Sequence, residues 1–449
     1  MISAAPATPS GNSEKARVIA TPALSRRNLA AQLLYGLFGQ AGQRLFTAPT
    51  FLPAFLFALS GSEFVVGLAR GLQAVGTMLS PILGAAVVGH RMRIKWIGIC
   101  AGLSARLQML VMALAVILLP PETAVVACML SLAAMGFGNG FGNVALNALR
   151  ARVIPPHRRG VVLGLRNTLS GLTAAALTAW AGAGLLAGEG AGDPRAYVAI
   201  FLLAFIISAA GLLALSITRE PEQAEVRPRR SLRETVADGV TLLRTDREFA
   251  AFFLAYGLGT VSRMGVPFYV LYASSRLEAQ GDVMTGALLG AMTTLWLLAG
   301  TSSRLIWGAL GDRGGHGLVL VLGIGLWIVS QLLLLVATGP GELLLFFALV
   351  GVASGGFHTG ANSLVLELGA PAESALRLAT VSTFAHLVAT LAPILGGIVG
   401  ALAGFTAVFV LCMTAQTGAL VLLIAFARRV SRPSDERDES LRYPDRDMI

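Results

Sequence analysis

Charge is what this sequence has least of. Only 13% of its 449 residues are charged against 55% hydrophobic, and mean hydropathy is +0.73. A soluble domain averages about 25% charged residues, so this chain has too little charge to cover a water-exposed surface of its size. Lysine is almost missing. Lys15 and Lys95 are the only two, and neither follows a glycine, so there is no phosphate-binding Gly-Lys loop of an ATPase. No Gly-x-Ser-x-Gly, His-Glu-x-x-His, Cys-x-x-Cys or paired-carboxylate pattern occurs, which leaves no basis for an enzyme, a metal site or a cofactor. The three cysteines (Cys100, Cys128, Cys412) are scattered through apolar stretches. They form no disulfide framework and read as small apolar packing groups. Aromatics reach only 7%, too few for the girdles of a lipid-facing β-barrel.

Apolar runs of about 20 or more residues, each able to cross about 30 Å of hydrocarbon, are what the chain does have. Twelve are expected, near 29–59, 64–88, 96–119, 122–148, 161–187, 196–218, 249–275, 283–307, 318–338, 343–368, 379–402 and 404–427. The 52 glycines suit close helix packing in lipid. Residues 1–28 lack an apolar core and read as a solvated cytosolic tail without a secretory signal. Residues 428–449 form a second, charged tail. With both termini inside, 26 of the 34 Lys+Arg fall in inner segments and two, Arg195 and Arg276, in outer loops. That bias predicts an integral multi-pass protein of the bacterial inner membrane with both termini cytoplasmic. It also makes the net charge of +10 a matter of topology, with the bilayer as partner and no nucleic acid.

The stretch 219–248 divides the runs six and six. It reads either as an open linker or as a linker holding a short surface helix. Ser231 to Glu234 could cap that helix, and Leu232, Val236, Val240 and Leu243 form its apolar stripe. The halves repeat. Tyr35-Gly36 precedes Arg44 as Tyr256-Gly257 precedes Arg263, and Asn143 leads to Pro156 and Thr168 as Asn362 leads to Pro371 and Thr383. The expected fold is therefore an all-α membrane protein of twelve transmembrane helices in two pseudo-symmetric six-helix bundles, 29–218 and 249–427, with a site between them near mid-membrane.

The loop Gly308-Ala-Leu-Gly311-Asp312-Arg313-Gly-Gly-His316 resembles the signature loop of the major facilitator superfamily, and with the six-plus-six layout the resemblance covers about 29–427. It implies alternating access by rocking bundles, and no cofactor. It also implies a gate in which Asp312 and Arg313, with Gly308, latch the inner face when the cavity opens outward. The first-half copy, Gly84 through Arg91 and Arg93, has Val88 where the acid belongs, so its latch is weakened or differently built. The Gly-Pro motif of the family's drug:proton antiporters is missing from span 5, and the similar Pro393–Gly397 lies in the other half.

Six arginines fall inside expected spans: Arg44, Arg70, Arg106, Arg166, Arg263 and Arg304. The only acids there are Glu122 and Glu367, each at a span end. Buried cations face a partner or a cavity, and the missing acids suggest that the partner is the solute. Arg44 and Arg263 are repeat-related and mid-span, with Gln40 on the face of Arg44. In this superfamily spans 1 and 7 line the cavity, and the organophosphate:phosphate antiporters place one arginine on each, a likeness that stops at the pair. The other reading is that they bind helix-end carbonyls or water. Arg70, Arg166 and Arg304 lie near span ends and read as snorkelling, while Arg106 has no evident partner. Asn139 and Asn143, with Asn147, and their counterparts His358 and Asn362, are either cavity walls or interhelical hydrogen-bonding groups. His358 and His386 are the mid-span groups that titrate near neutral pH, candidates for proton coupling or simple packing. The expectation is a monomeric secondary transporter of a small organic, anionic solute. A drug or lipophile exporter and a non-transporting assembly factor or receptor on the same fold are the alternatives.

Overall fold

The computed structural model describes residues 26–88, 91–186, 192–220, 232–368 and 374–430, and every regular element among them is helical. Hydrocarbon offers the backbone no hydrogen bonds, so apolar runs of this length must satisfy themselves internally, and in an open chain only helices do so. Seven helical stretches are long and apolar enough, by length and composition, to cross a bilayer: Lys95–Leu118, Pro121–Val153, Pro194–Ile217, Arg247–Glu278, His316–Val336, Pro340–Glu367 and Leu376–Ala425. Each of the twelve expected runs falls on helix.

The first run is interrupted. It comprises α1 (Arg26–Leu34), a π-helical turn (Tyr35–Gln40), α2 (Ala41–Phe46) and α3 (Phe51–Ser60). Pro49 lacks the N–H that would continue α2 and stops it. The seventh run breaks at the matching place. After α10 (Arg247–Thr260) come two 3₁₀ turns, the second holding Pro267, and then α11 (Tyr269–Glu278). Arg44 and Arg263 therefore both stand at helix interruptions. The remaining first-half helices are α4 (Glu63–Val88), α5 (Lys95–Leu118), α6 (Pro121–Val153), α7 (Pro156–Trp180, extended by a π turn to Leu185) and α8 (Tyr197–Leu213). The second half continues with α12 (Gly286–Gly314), α13 (His316–Val336), α14 (Pro340–Glu367) and α15 (Ser374–Val430). Gly404, at φ 78°, turns the chain inside α15 where the eleventh and twelfth runs were expected to meet.

Glycine sets the packing of α4 on α6. A Cβ on Gly140 would lie 2.7 Å from the Thr77 carbonyl oxygen, so only glycine lets these backbones approach. The aromatic core of the second half centres on Tyr269. It stands edge-on to Phe346 at 5.0 Å, and its hydroxyl accepts from Trp327 Nε1 at 3.1 Å.

One end of the molecule carries the segments joining α4 to α5 and α12 to α13. There, Val88 is buried with Ile94, Leu149 and Val153, so the position of the missing acid belongs to an apolar cluster. The acid comes instead from Glu220. Its carboxylate accepts from the backbone N–H of Ile94 (2.9 Å) and Lys95 (3.0 Å) at the start of α5, and pairs with Arg152 Nη1 of α6 at 2.7 Å. Arg152 also donates to the Met92 and Arg91 carbonyls, at 2.8 and 3.3 Å. The first-half loop is thus braced by a carboxylate from another segment.

The dividing stretch contains α9 (Leu232–Thr245). Ser231, the expected cap, lies outside the described residues. The face that packs on the bundle carries Leu242, which is buried, while Val240 of the expected stripe is exposed. Gly239 faces Thr380 of α15. Asp246 then caps α10, accepting from the N–H of Glu248 and Phe249 at 2.9 Å each, and pairs with Arg377 of α15 at 2.7 Å. Partial burial favours its protonated form, but the Phe249 N–H and the Arg377 guanidinium outweigh that and hold the Asp246 carboxyl below its ordinary range.

Candidate functional site

A cavity of about 260 Å³ lies between the halves, lined by Arg70, Gln73, Ala74 and Thr77 of α4, Arg263, Val266 and Pro267 of the broken seventh run, and His386, Ala389 and Pro393 of α15. Arg70, Gln73 and Thr77 share one helix face. No carboxylate is among the lining residues. Arg70 Nη1 donates to Gln73 Oε1 at 2.7 Å, and Arg70 and Arg263 are close enough to repel each other.

The partner of Arg263 in this cavity is Arg70, not Arg44. Arg70 read from sequence as a snorkelling side chain; the structure turns it inward. Arg44 is half-buried, and its electrostatic neighbours are Arg304 and Arg166. Among the described residues Arg44, Arg263 and Arg304 donate no hydrogen bond to protein, so helix-end carbonyls do not hold them. Arg106 shows what a carbonyl-held arginine looks like. It is buried and donates to Gly102 O (2.8 Å), Ser208 O (3.0 Å) and Gly39 O (3.4 Å), tying α5 to α8 and to the π turn.

Asn143 on α6 and His358 and Asn362 on α14 are exposed, Asn139 is half-buried, and none has a hydrogen-bond partner among the described residues. The expected alternative, interhelical hydrogen bonding, is not what these side chains do here. Gln40 lies in the π turn, and its Oε1 is buried without a partner among the described residues. His386 lines the cavity beside Arg263; His358 is a neighbour of both Arg263 and Arg304.

Above the cavity the halves are sealed. A Cβ on Gly67 of α4 would lie 2.9 Å from Gly397 Cα, and one on Gly71 3.1 Å from the Thr390 carbonyl oxygen. The Pro393–Gly397 segment is therefore part of a contact between halves. On the other side of the interface α7 meets α12. A Cβ on Gly182 would lie 2.6 Å from Gly290 Cα, Thr178 and Thr294 hydroxyls are 3.1 Å apart, and Gly171 touches Thr301. Thr50 and Thr293 hydroxyls add a hydrogen bond across the halves. Two turns further, on the same faces, Gly164 and Gly308 have nothing within 4 Å of a would-be Cβ. Val161 and Leu305 there are 75% and 78% exposed. The helices diverge, and the interface opens at the end carrying the signature loop.

The charged residues expected at the gate are exposed at that end as well. Asp312 and Arg313 are exposed and make no hydrogen bond or ion pair among the described residues. Gly84 packs on Phe141 and Val144 of α6, whereas Gly308 faces open space. Arg91 is exposed. His316 and Glu367 pair across α13 and α14, which gives the acid at the end of the tenth expected span its partner.

The sequence profile of the Major Facilitator Superfamily matches residues 31–278 and 267–445. The multidrug resistance protein MdtG of Proteus mirabilis (strain HI4320) is 28% identical over 191 residues, 42% of this chain and 46% of that protein. The protein of the same name from Dickeya zeae (strain Ech586) is 31% identical over 179 residues, 40% of this chain and 42% of that protein. The chain thus matches less than half the length of these relatives. Two solved structures share the fold at low identity. The nucleoside transporter NupG has TM-score 0.65 at 17% identity, covering 91% of this chain and 100% of its own. The human organic anion transporter MFSD10 has TM-score 0.60 at 16% identity, covering 89% and 99%. The profile spans nearly the whole sequence, and the chain belongs to the major facilitator superfamily of membrane transporters.

Proposed function

We propose that this transporter moves a small organic anion across the bacterial inner membrane by alternating access. It works as a monomer, with bundles 29–218 and 249–427, a linker at 219–248, and tails 1–28 and 428–449 in the cytosol. The observation that carries this reading is the cavity in which Arg70 and Arg263, from opposite halves, face each other with no acid in the lining. Two like charges held this way in a water-poor site repel, and a carboxylate or phosphate between them turns repulsion into charge-assisted hydrogen bonds. Because the anion bridges the halves, binding draws them together and promotes closure at the signature-loop end. Arg44 and Arg304 add positive potential, and Asn139, Asn143, His358, Asn362 and Gln40 are polar contacts for the rest of the solute. His358 and His386 are the groups available for proton coupling, and Gly308, Asp312, Arg313, Gly84 and Arg91 make the gate region.

The name of the multidrug relatives favours a second reading, export of drugs. The cavity speaks for the first: a lipophilic cation would have to sit between two arginines. The test is flux into proteoliposomes. Organic anions should be carried, and Arg70→Ala or Arg263→Ala should abolish flux with folding retained. Efficient transport of a lipophilic cation, or wild-type flux of the anion in both variants, would overturn the proposal.

A further inference from the structure

Arg166 of α7 lies outside the cavity and does none of the work described so far. It is only 4% exposed, and its Nε and Nη1 are buried with no hydrogen-bond partner among the described residues. Its stem is clamped against Gly36, where a Cβ would lie 2.8 Å from the Arg166 carbonyl oxygen, and its guanidinium sits 5.9 Å from the centre of the Tyr35 ring. It therefore does not snorkel to the start of α7. Its charged neighbours are Arg150 and Arg44, both cations. Between residues 26 and 186 the only acids are Glu63 and Glu122, and both stand at helix starts at the sealed end. A fixed, buried guanidinium with two orphaned donors and cations around it calls for a counter-charge that residues 26–186 do not supply beside it.

We propose that Arg166 holds a small inorganic anion, chloride in the cell, at a second site inside the first half between α7 and the π turn of the first run. Near-complete burial keeps out an anionic group attached to a larger organic body, while a single-atom anion needs only the space of one water. The unpartnered Nε–H and Nη1–H lie on opposite edges of the guanidinium, and each offers such an ion a buried donor. The bound anion neutralises the local field in which Arg44 and Arg150 sit, and locks α7 to the π turn.

The test is thermal unfolding of the purified full chain while chloride replaces methanesulfonate at constant ionic strength. A ligand bound only by the folded state raises the melting temperature saturably. Wild-type protein should show that rise, and so should Arg70→Ala, whose side chain is in the other site. Arg166→Gln should abolish the rise. Arg166→Lys keeps the charge but loses the buried Nε and Nη1 donors, and should raise the half-saturating chloride concentration by about tenfold or more. Wild-type melting that ignores chloride would overturn the proposal, as would a chloride response that survives in both Arg166 variants. If Arg166→Gln instead changes only the affinity for organic anions, the ligand is the transported solute and the chloride assignment is wrong.

Discussion

Gly182 offers the sharpest test of the seal. A methyl group there would meet backbone on three sides: the Gly286 carbonyl oxygen at 2.5 Å, Gly290 Cα at 2.6 Å and Gly290 N at 2.9 Å. Carbon atoms rest at about 3.5–4.0 Å, so α7 and α12 must part by roughly 1 Å, and no side chain can yield in their place. Overpacking of this kind costs about 1–3 kcal/mol. The cost falls on the state in which these helices touch, so it shifts the conformational equilibrium about 5- to 150-fold away from the state seen here. Gly184, two residues on in the same π turn, has nothing within 4 Å, and Gly184→Ala is the matched control. Cysteine accessibility at positions lining the cavity, probed from each side of the membrane, reads the shift. Gly182→Ala should raise labelling from the sealed end and lower it from the signature-loop end, and Gly184→Ala should do neither. Equal behaviour of the two variants would refute the assignment of this contact as the seal.

Glu220→Ala should be strongly destabilising, by about 3–5 kcal/mol, since it strips a buried ion pair and the cap of α5 together; thermal unfolding in detergent measures it. Asp312→Asn should leave that stability unchanged, because Asp312 has no partner among the described residues, while slowing flux by weakening the proposed latch of the opposite state; unaltered flux, with Arg91→Ala proving worse, would reverse the assignment. Asp246→Ala should lower stability by about 0.5–2 kcal/mol at neutral pH. The Asp246 carboxyl is held below its ordinary value of about 3.9, so its contribution is present above that pH and is lost as pH falls through the lower folded value; wild type and variant should converge in acid.

The architecture was legible because hydrocarbon leaves a chain few choices. Long apolar runs, few charges and one glycine-rich loop were enough to read twelve helical runs in two halves. The site was half legible. Composition alone says that six embedded arginines have few acids to pair with, and the repeat singled out Arg263, which lines the cavity. Arg70 was not singled out, although Arg70, Gln73 and Thr77 are spaced to share a face. Distance from a span end suggested snorkelling, and only the approach of α4 to α15 shows that the side chain turns inward. Arg44 fails for a different reason. The π turn at Tyr35–Gln40 widens that turn of helix and so rotates α2, with Arg44, relative to α1; Arg44 is not among the residues lining the cavity. Backbone carbonyls as partners, which explain Arg106, leave no mark in a sequence at all.

Recognition of an anion by guanidinium groups from both halves is tested most directly by equilibrium stabilisation of the purified protein against three sets of ligands: organic anions, lipophilic cations and neutral drugs. A bound ligand raises the melting temperature of the state it binds. At least one organic anion should stabilise wild-type protein saturably, and the shift should vanish in both Arg70→Ala and Arg263→Ala while cations and neutral compounds do nothing. Stabilisation by a lipophilic cation, or an anion response that persists undiminished in both variants, would contradict the account.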